Sequence, residues 1–73
     1  MSFRYTLHLK DGTKIRSTLL PSFKKAQTTS QMTELLSNPN NSIGFVPEPK
    51  DSRVEWVIVP SGNVNYVSFL SER

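Results

Sequence analysis

Residues 3–16 read FRYTLHLKDGTKIR, in which apolar and polar side chains alternate on both sides of one glycine-containing turn. Successive side chains of a β-strand point to opposite faces of the sheet, so the alternation predicts two strands with an apolar and a polar face. The apolar face carries Phe3, Tyr5, Leu7, Leu9, Ile15 and Leu19. The stretch therefore predicts an N-terminal β-hairpin.

The length of the turn decides which side chains face each other. A two-residue turn would place Leu9 opposite Lys14 and mix apolar with charged side chains, because a one-residue slip moves every side chain across the sheet. A three-residue turn over residues 10–12 keeps the two kinds apart, and Gly12 supplies the left-handed residue that such turns need. The predicted pairs are Leu9–Thr13, Leu7–Ile15, Phe3–Leu19, His8–Lys14 and Thr6–Arg16.

The length and composition of the chain predict a single domain over residues 1–73 with a small core. Hydrophobic residues make up 36% of the 73 residues and charged residues 21%, which is globular composition. The chain has no cysteine, so neither a disulfide nor a thiolate metal site can support the fold. We expect stability to come from close contacts of the aromatic side chains, Trp56 among them, or from self-association.

The sequence predicts a soluble cytoplasmic protein with no membrane partner. No apolar run approaches the roughly 18 residues of a membrane span. The strand pattern begins at residue 3 and leaves no apolar segment of the kind found in signal peptides.

Residues 22–37 form the single helical candidate, after Pro21 ends the second strand. Thr28 and Gln31 fit the spacing of a capping box, which predicts a short or two-part helix because the neighbouring threonines have low helix propensity. Residues 38–41 contain a proline and three asparagines and end the helix. Its expected apolar stripe consists of Phe23, Ala26, Met32, Leu35 and Leu36.

The second half of the chain predicts three more strands, over residues 42–46, 54–59 and 64–70. Residues 47–51 contain two prolines and are expected to form an exposed loop. Residues 60–63 are expected to close a second hairpin that pairs Val59 with Val64. That pairing would gather Val54, Trp56, Ile58, Val67 and Phe69 on the core face. The opposite face would carry Val57, Val59, Val64 and Tyr66.

The order β-β-α-β-β-β predicts a small α+β fold, an antiparallel sheet of two hairpins with one short helix packed on one face. A curled, SH3-like small barrel is the alternative that the same order of elements allows.

The polar side of the first hairpin is the first candidate site. It carries Arg4, His8, Lys10, Lys14 and Arg16, on a chain of net charge +3 and pI about 9.6. Such a face can contact anions or nucleic acid. Sheets that bind single strands also present aromatic rings among the cations, whereas Phe3 and Tyr5 are expected to point inward. The competing interpretation is the solvated side of an ordinary hairpin.

The apolar stripe of Val57, Val59, Val64 and Tyr66 is the second candidate. If it is exposed, it predicts a protein interface, with a partner or a second copy forming a homodimer. If strand 42–46 or curvature of the sheet covers it, the stripe belongs to the core.

Catalysis is not indicated. The chain has one histidine, no cysteine, scattered acidic residues and three isolated glycines, so we expect no catalytic residue, cofactor, metal or small-molecule substrate. The sequence therefore predicts a non-catalytic protein-interaction or regulatory module of the adaptor or inhibitor type. A nucleic-acid-binding domain that uses the basic face is the alternative.

Overall fold

The computed structural model describes residues 1–48 and 55–72. These residues form a small α+β domain with antiparallel sheets and one helix. Two 3₁₀ turns, Ser22–Lys24 and Ser61–Asn63, precede the helix and the last strand. The helix and strands are β1 (Ser2–Leu9), β2 (Lys14–Arg16), β3 (Leu20–Pro21), α1 (Lys25–Leu36), β4 (Ser42–Phe45), β5 (Val57–Pro60) and β6 (Val64–Glu72).

The predicted register of the first turn is confirmed. β1 pairs antiparallel with β2 through Thr6–Arg16, Leu7–Ile15 and His8–Lys14. The Leu9 amide donates to the Thr13 carbonyl at 2.8 Å, which closes the three-residue turn. Gly12 has φ +92°, a left-handed conformation that residues with a Cβ atom adopt at a cost.

Beyond Arg16 the predicted register is wrong by one residue. Phe3 pairs with Leu20 rather than with Leu19, because the chain accommodates an extra residue after β2, as a β-bulge does. Buried Ser17 marks the place: its hydroxyl accepts a hydrogen bond from the Tyr5 amide at 3.0 Å. Leu19 is consequently 49% exposed, and Leu20 packs against the core in its place.

The predicted second hairpin does not form. β5 pairs with β4, through Ile43–Val59 and Phe45–Val57. β6 instead pairs with β1 in the first sheet, because the 3₁₀ turn Ser61–Asn63 carries the chain from one sheet to the other. Among the described residues, the antiparallel bridge Ser17–Pro47 joins the segment after β2 to the segment after β4. Residues 49–51 of the predicted loop and Val54 lie outside the described residues.

A register shift in β6 decides which of its side chains face the core. The pairing of β6 with β1 shifts by one residue between His8 and Leu9, so that Leu9 pairs with Val64 and His8 with Tyr66. The intervening Asn65 is an extra residue, and an extra residue reverses the face on which the following side chains lie. Val64 is therefore buried, while Tyr66 points outward and is 53% exposed.

The helix is where the sequence predicted it, but it begins differently. The 3₁₀ turn leads directly into α1 at Lys25, and no side chain caps the helix. Thr28 is consequently already helical, and the predicted capping box is wrong. Of the expected stripe, Met32 is buried and Leu35 and Leu36 pack against the core. Phe23 is 80% exposed, and Ala26 is exposed as well.

The core lies between the inner faces of the two sheets and the helix. Phe3, Tyr5 and Leu7 of β1 form its centre, and the ring centroid of Tyr5 lies 5.6 Å from that of Phe45 and 5.9 Å from that of Phe69. Trp56, which the sequence analysis assigned to the core, is 66% exposed. The buried apolar residues are Phe3, Tyr5, Leu7, Met32, Ile43, Phe45, Val59 and Val64.

Candidate functional site

The predicted basic residues lie on one face of the first sheet, called here the outward face. Cross-strand partners share a face, and the ladders place Lys14, His8 and Tyr66 in one row and Arg16, Thr6 and Ser68 in the next. Lys10 lies in the turn at the end of β1 and is exposed. The face that the sequence predicted from the hairpin alone is thus extended by β6, which adds the outward ring of Tyr66.

Arg4 does not contribute a free charge to this face. Its Nη1 donates to Glu48 Oε1 at 2.7 Å, and its Nε lies 3.0 Å from Glu72 Oε1 outside hydrogen-bond geometry. The side chain is 14% exposed. Arg16 is more accessible, at 55%, and its Nε lies 3.9 Å from Glu48 Oε2. Glu48 and Glu72 therefore offset Arg4, whereas the Arg16 contact is long and solvent-exposed and contributes little. The accessible cations of this face are Arg16, Lys14 and Lys10.

His8 and Tyr66 form a stacked pair of rings on the outward face. Their ring centroids are 4.1 Å apart and the ring planes differ by 11°, a parallel stack. His8 Nε2 lies 2.8 Å from Ser68 Oγ, which fixes the imidazole orientation. Sequence reasoning missed this pair because it assigned Tyr66 to the second hairpin. The available signal was the alternation in residues 66–70, which places Val67 and Phe69 opposite Tyr66.

The predicted protein interface does not exist as one exposed stripe. Val59 is 5% and Val64 is 7% exposed, and Val57 packs against the core. Tyr66 alone among the four is exposed, and it lies on the first sheet. The pairing of β5 with β4 explains the difference, because it places Val59 opposite Ile43 and Val57 opposite Phe45, both of which face inward.

A different apolar surface is exposed on the second sheet. Ile58 is 72%, Trp56 is 66% and Val46 is 39% exposed. Ile58 pairs with Gly44, whose missing side chain leaves a flat area beside the Ile58 side chain. These three residues, Val46, Trp56 and Ile58, are called here the apolar surface.

A groove of about 380 Å³ runs between α1 and β4 and reaches the apolar surface at Trp56 and Val46. Its polar lining comes from Gln27, Thr28 and Gln31 of α1 and from Lys24 and Thr18 before the helix. Its floor is apolar, which gives it the mixed lining that binding grooves have. The floor includes Tyr5, Met32, Leu35, Ile43 and Phe45.

Two titratable groups have shifted pKa values. Burial raises the pKa of Tyr5 to about 12, because the low-dielectric interior disfavours the phenolate. Hydrogen bonds from Thr13, the backbone amide first, hold the pKa of Asp11 below its ordinary value. The Asp11 contact spans two residues at the turn, so it shapes the turn and is remote from the groove.

Within residues 1–48 and 55–72, no three or more His, Cys, Asp or Glu side chains come together in a way that could hold a metal ion. No helix in the same residues combines the length and apolar character needed to cross a bilayer. The sequence matches no protein-family model, and neither a curated protein nor a solved structure is significantly similar to the chain.

Proposed function

We propose that this chain is a small non-catalytic protein-interaction module, of the adaptor or inhibitor type, that binds an apolar segment of another protein. The binding site is the apolar surface together with the groove between α1 and β4. One observation carries the proposal: Trp56 and Ile58, two large apolar side chains two residues apart, are 66% and 72% exposed, and Trp56 also lines the groove.

The energetics favour a site at this position. Removing apolar area from water contributes about 25 cal/mol per Å², and a small domain seldom leaves large apolar side chains together on its surface without a use. Tryptophan is over-represented among the few residues that dominate binding energy at protein interfaces. The groove beside Trp56 can accept a protruding side chain of the partner, which would then contact the apolar floor.

A different protein fits this surface better than a second copy does. A two-fold dimer needs a self-complementary patch of about 800 Å² on each partner, whereas three exposed side chains beside a concave groove are small and not self-complementary. Exposed Phe23 could enter the groove of another copy, but that contact is head-to-tail and does not close into a dimer. We therefore assign the surface to a helix or strand of a partner protein.

A non-catalytic role is part of the proposal: His8, the single histidine of the sequence, lies on an exposed face, and within the described residues no carboxylate is seen to orient its ring. A curled small barrel is the fold description that we favour over an open sheet, since β1 pairs on both edges and Ser17–Pro47 joins the sheets. In such a barrel the apolar surface and the outward face point away from a common core.

The test is a random peptide library panned against the wild-type domain, with Ile58→Asp as the counter-selected variant. Enriched peptides are expected to carry aromatic or aliphatic anchors and to bind Ile58→Asp about 30-fold more weakly than wild type, the loss typical of an interface hot spot. Leu70→Asp is the matched control, because Leu70 is 57% exposed but lies on the other sheet.

Sedimentation velocity of the wild type tests whether the apolar surface binds a different protein or a second copy of this chain. A monomer, together with peptides that discriminate against Ile58→Asp, supports the proposal. A dimer that Ile58→Asp dissociates would assign the surface to a second copy. Peptides that bind all three proteins equally well would show that the apolar surface is not the site.

A further inference from the structure

We infer that the outward face of the first sheet binds single-stranded nucleic acid, with Tyr66 stacking on a base and Lys14 and Arg16 contacting phosphates. This inference rests on different residues from the protein-interaction site and does not depend on it. Its ligand is defined by shared chemistry, an unpaired base attached to a negatively charged backbone, which single-stranded DNA and RNA both provide.

Tyr66 offers a stacking face. Its ring is parallel to that of His8 at 4.1 Å, about the spacing of neighbouring strands, so the two rings face each other across β1 and β6. Each ring covers one face of the other, and the second face of Tyr66 points toward the far edge of β6. Within the described residues, β6 pairs with β1 and with no other strand. A base can therefore extend the stack from that side.

The ring pair is already held in place before a ligand arrives. The 2.8 Å contact between His8 Nε2 and Ser68 Oγ orients the imidazole, and the imidazole in turn limits rotation of Tyr66. A side chain that is ordered in the free protein loses little rotamer entropy on binding. Stacking of a base on an aromatic side chain contributes about 1–3 kcal/mol, and this arrangement retains most of that contribution.

The cations lie two strands from Tyr66, on the far side of β1. Lys14 is opposite His8 on β2 and Arg16 is opposite Thr6, so both originate about 10 Å from the Tyr66 strand, two strand spacings away. A nucleic-acid strand with one base stacked on the free face of Tyr66 would run its backbone across β1, where its phosphates come within reach of these flexible side chains. Arg4 is held by Glu48 and Glu72 and is not a contact. With two phosphate contacts, the logarithm of the binding constant for a single strand should fall with the logarithm of the salt concentration with a slope of about −1.4.

The same geometry discriminates against duplexes. In a duplex the faces of the bases are covered by their neighbours, so Tyr66 could reach only the backbone. Phosphate contacts alone would survive, and two of them give weak binding. Preference for the single strand is thus the property that separates this site from a merely basic surface.

The test is fluorescence anisotropy with labelled oligothymidylate and oligouridylate about 12 nucleotides long, and with a duplex of equal length, at about 50 and 200 mM salt. Wild type is expected to bind a single strand at least about tenfold more tightly than the duplex, and Tyr66→Ala to lose about tenfold or more. Tyr66→Phe retains the ring and is expected to stay within about threefold of wild type. Tighter binding of oligothymidylate would indicate DNA as the ligand, and tighter binding of oligouridylate would indicate RNA.

Charge reversal supplies the matched pair of controls. Lys14→Glu is expected to weaken binding and to reduce the magnitude of the salt slope by about 0.7, whereas Lys24→Glu makes the same charge change at the start of the helix and should keep the wild-type slope. Circular dichroism verifies that each variant is folded. Equal affinity for duplex and single strand, unchanged affinity in Tyr66→Ala, or no binding of either oligonucleotide at low salt would overturn the inference.

Discussion

Tyr5 connects the two sheets through a single side chain. Its ring contacts Phe45 of β4 and Phe69 of β6, and its backbone amide and carbonyl both bond to Ser17, through the hydroxyl at 3.0 Å and the amide at 2.8 Å. The residue is 5% exposed and also lines the floor of the groove. The core in this region therefore depends on a phenol that stays neutral.

We predict that the domain loses stability in alkaline solution through Tyr5. Burial raises the pKa of Tyr5 from 10.0 to about 12, so the folded state holds the proton more tightly than the unfolded state does. The contribution is fully present below pH 10 and is lost as the pH rises from about 10 to about 12, because unfolding then releases a proton. Urea denaturation at pH 8, 10 and 12 measures the loss.

The comparison variant is Tyr5→Phe, which has no group to ionise at this position. Its free energy of unfolding should fall less between pH 10 and 12 than that of wild type. Tyr66→Phe removes a hydroxyl from an exposed ring and controls for phenol ionisation at the surface. If Tyr5→Phe and wild type lose stability in parallel, another group is responsible.

At the scale of elements, β5 is the strand whose orientation matters most for function. Its sequence, Val-Ile-Val-Pro, is apolar at every position, so alternation cannot tell which side faces the core. The neighbouring strand β4 determines which face of β5 points to the core. β4 alternates buried and exposed residues, and the Ile43–Val59 register aligns the buried side chains of both strands. The apolar surface follows as the remaining side of β5.

We predict that aspartate destabilises the domain to very different extents at two adjacent positions of β5. Val59→Asp introduces a charge at a site that is 5% exposed, which costs about 3 kcal/mol or more and unfolds much of so small a domain. Ile58→Asp changes a residue that is 72% exposed and should cost less than about 1 kcal/mol. Chemical denaturation followed by Trp56 fluorescence measures both. Equal losses, or the reverse order, would contradict the orientation of β5.

Local patterns predicted the elements well, and the long-range pairings could not be predicted from them. The first turn is confirmed because Gly12 and the flanking alternation permit one register. The second hairpin is wrong because nothing local in residues 54–70 distinguishes a hairpin from two strands in separate sheets. The same holds for the site. His8 and Lys14 were placed correctly, but the position of Tyr66 beside His8 depends on pairing residues 58 apart.

For the whole molecule, net charge is a poor guide to what its surface presents. The sequence carries +3, yet the guanidinium group of Arg4 is offset by two carboxylates that come from distant parts of the chain. Glu48 follows β4 and Glu72 ends β6, while Arg4 lies near the start of β1 and contacts both. This cluster ties three segments together and removes a cation from the outward face.

We predict that Arg4 acts as a clamp and that its effect is coupled to Glu48. Arg4→Met leaves two nearby carboxylates without their shared cation, at a side chain that is 14% exposed, and should destabilise the fold by about 1–3 kcal/mol. Glu48→Gln alone should cost less, because Glu72 remains beside Arg4. In a double-mutant cycle the two changes should be non-additive by about 0.5 kcal/mol or more.

Lys14→Met removes an exposed cation from the same face, and its free energy of unfolding should stay within about 0.5 kcal/mol of wild type. Strict additivity of Arg4→Met and Glu48→Gln would mean that the ion pair contributes nothing to stability. The distant segments would then be joined by backbone bonds, such as those from Glu48 to Arg16, from Thr18 to Val46 and along β6.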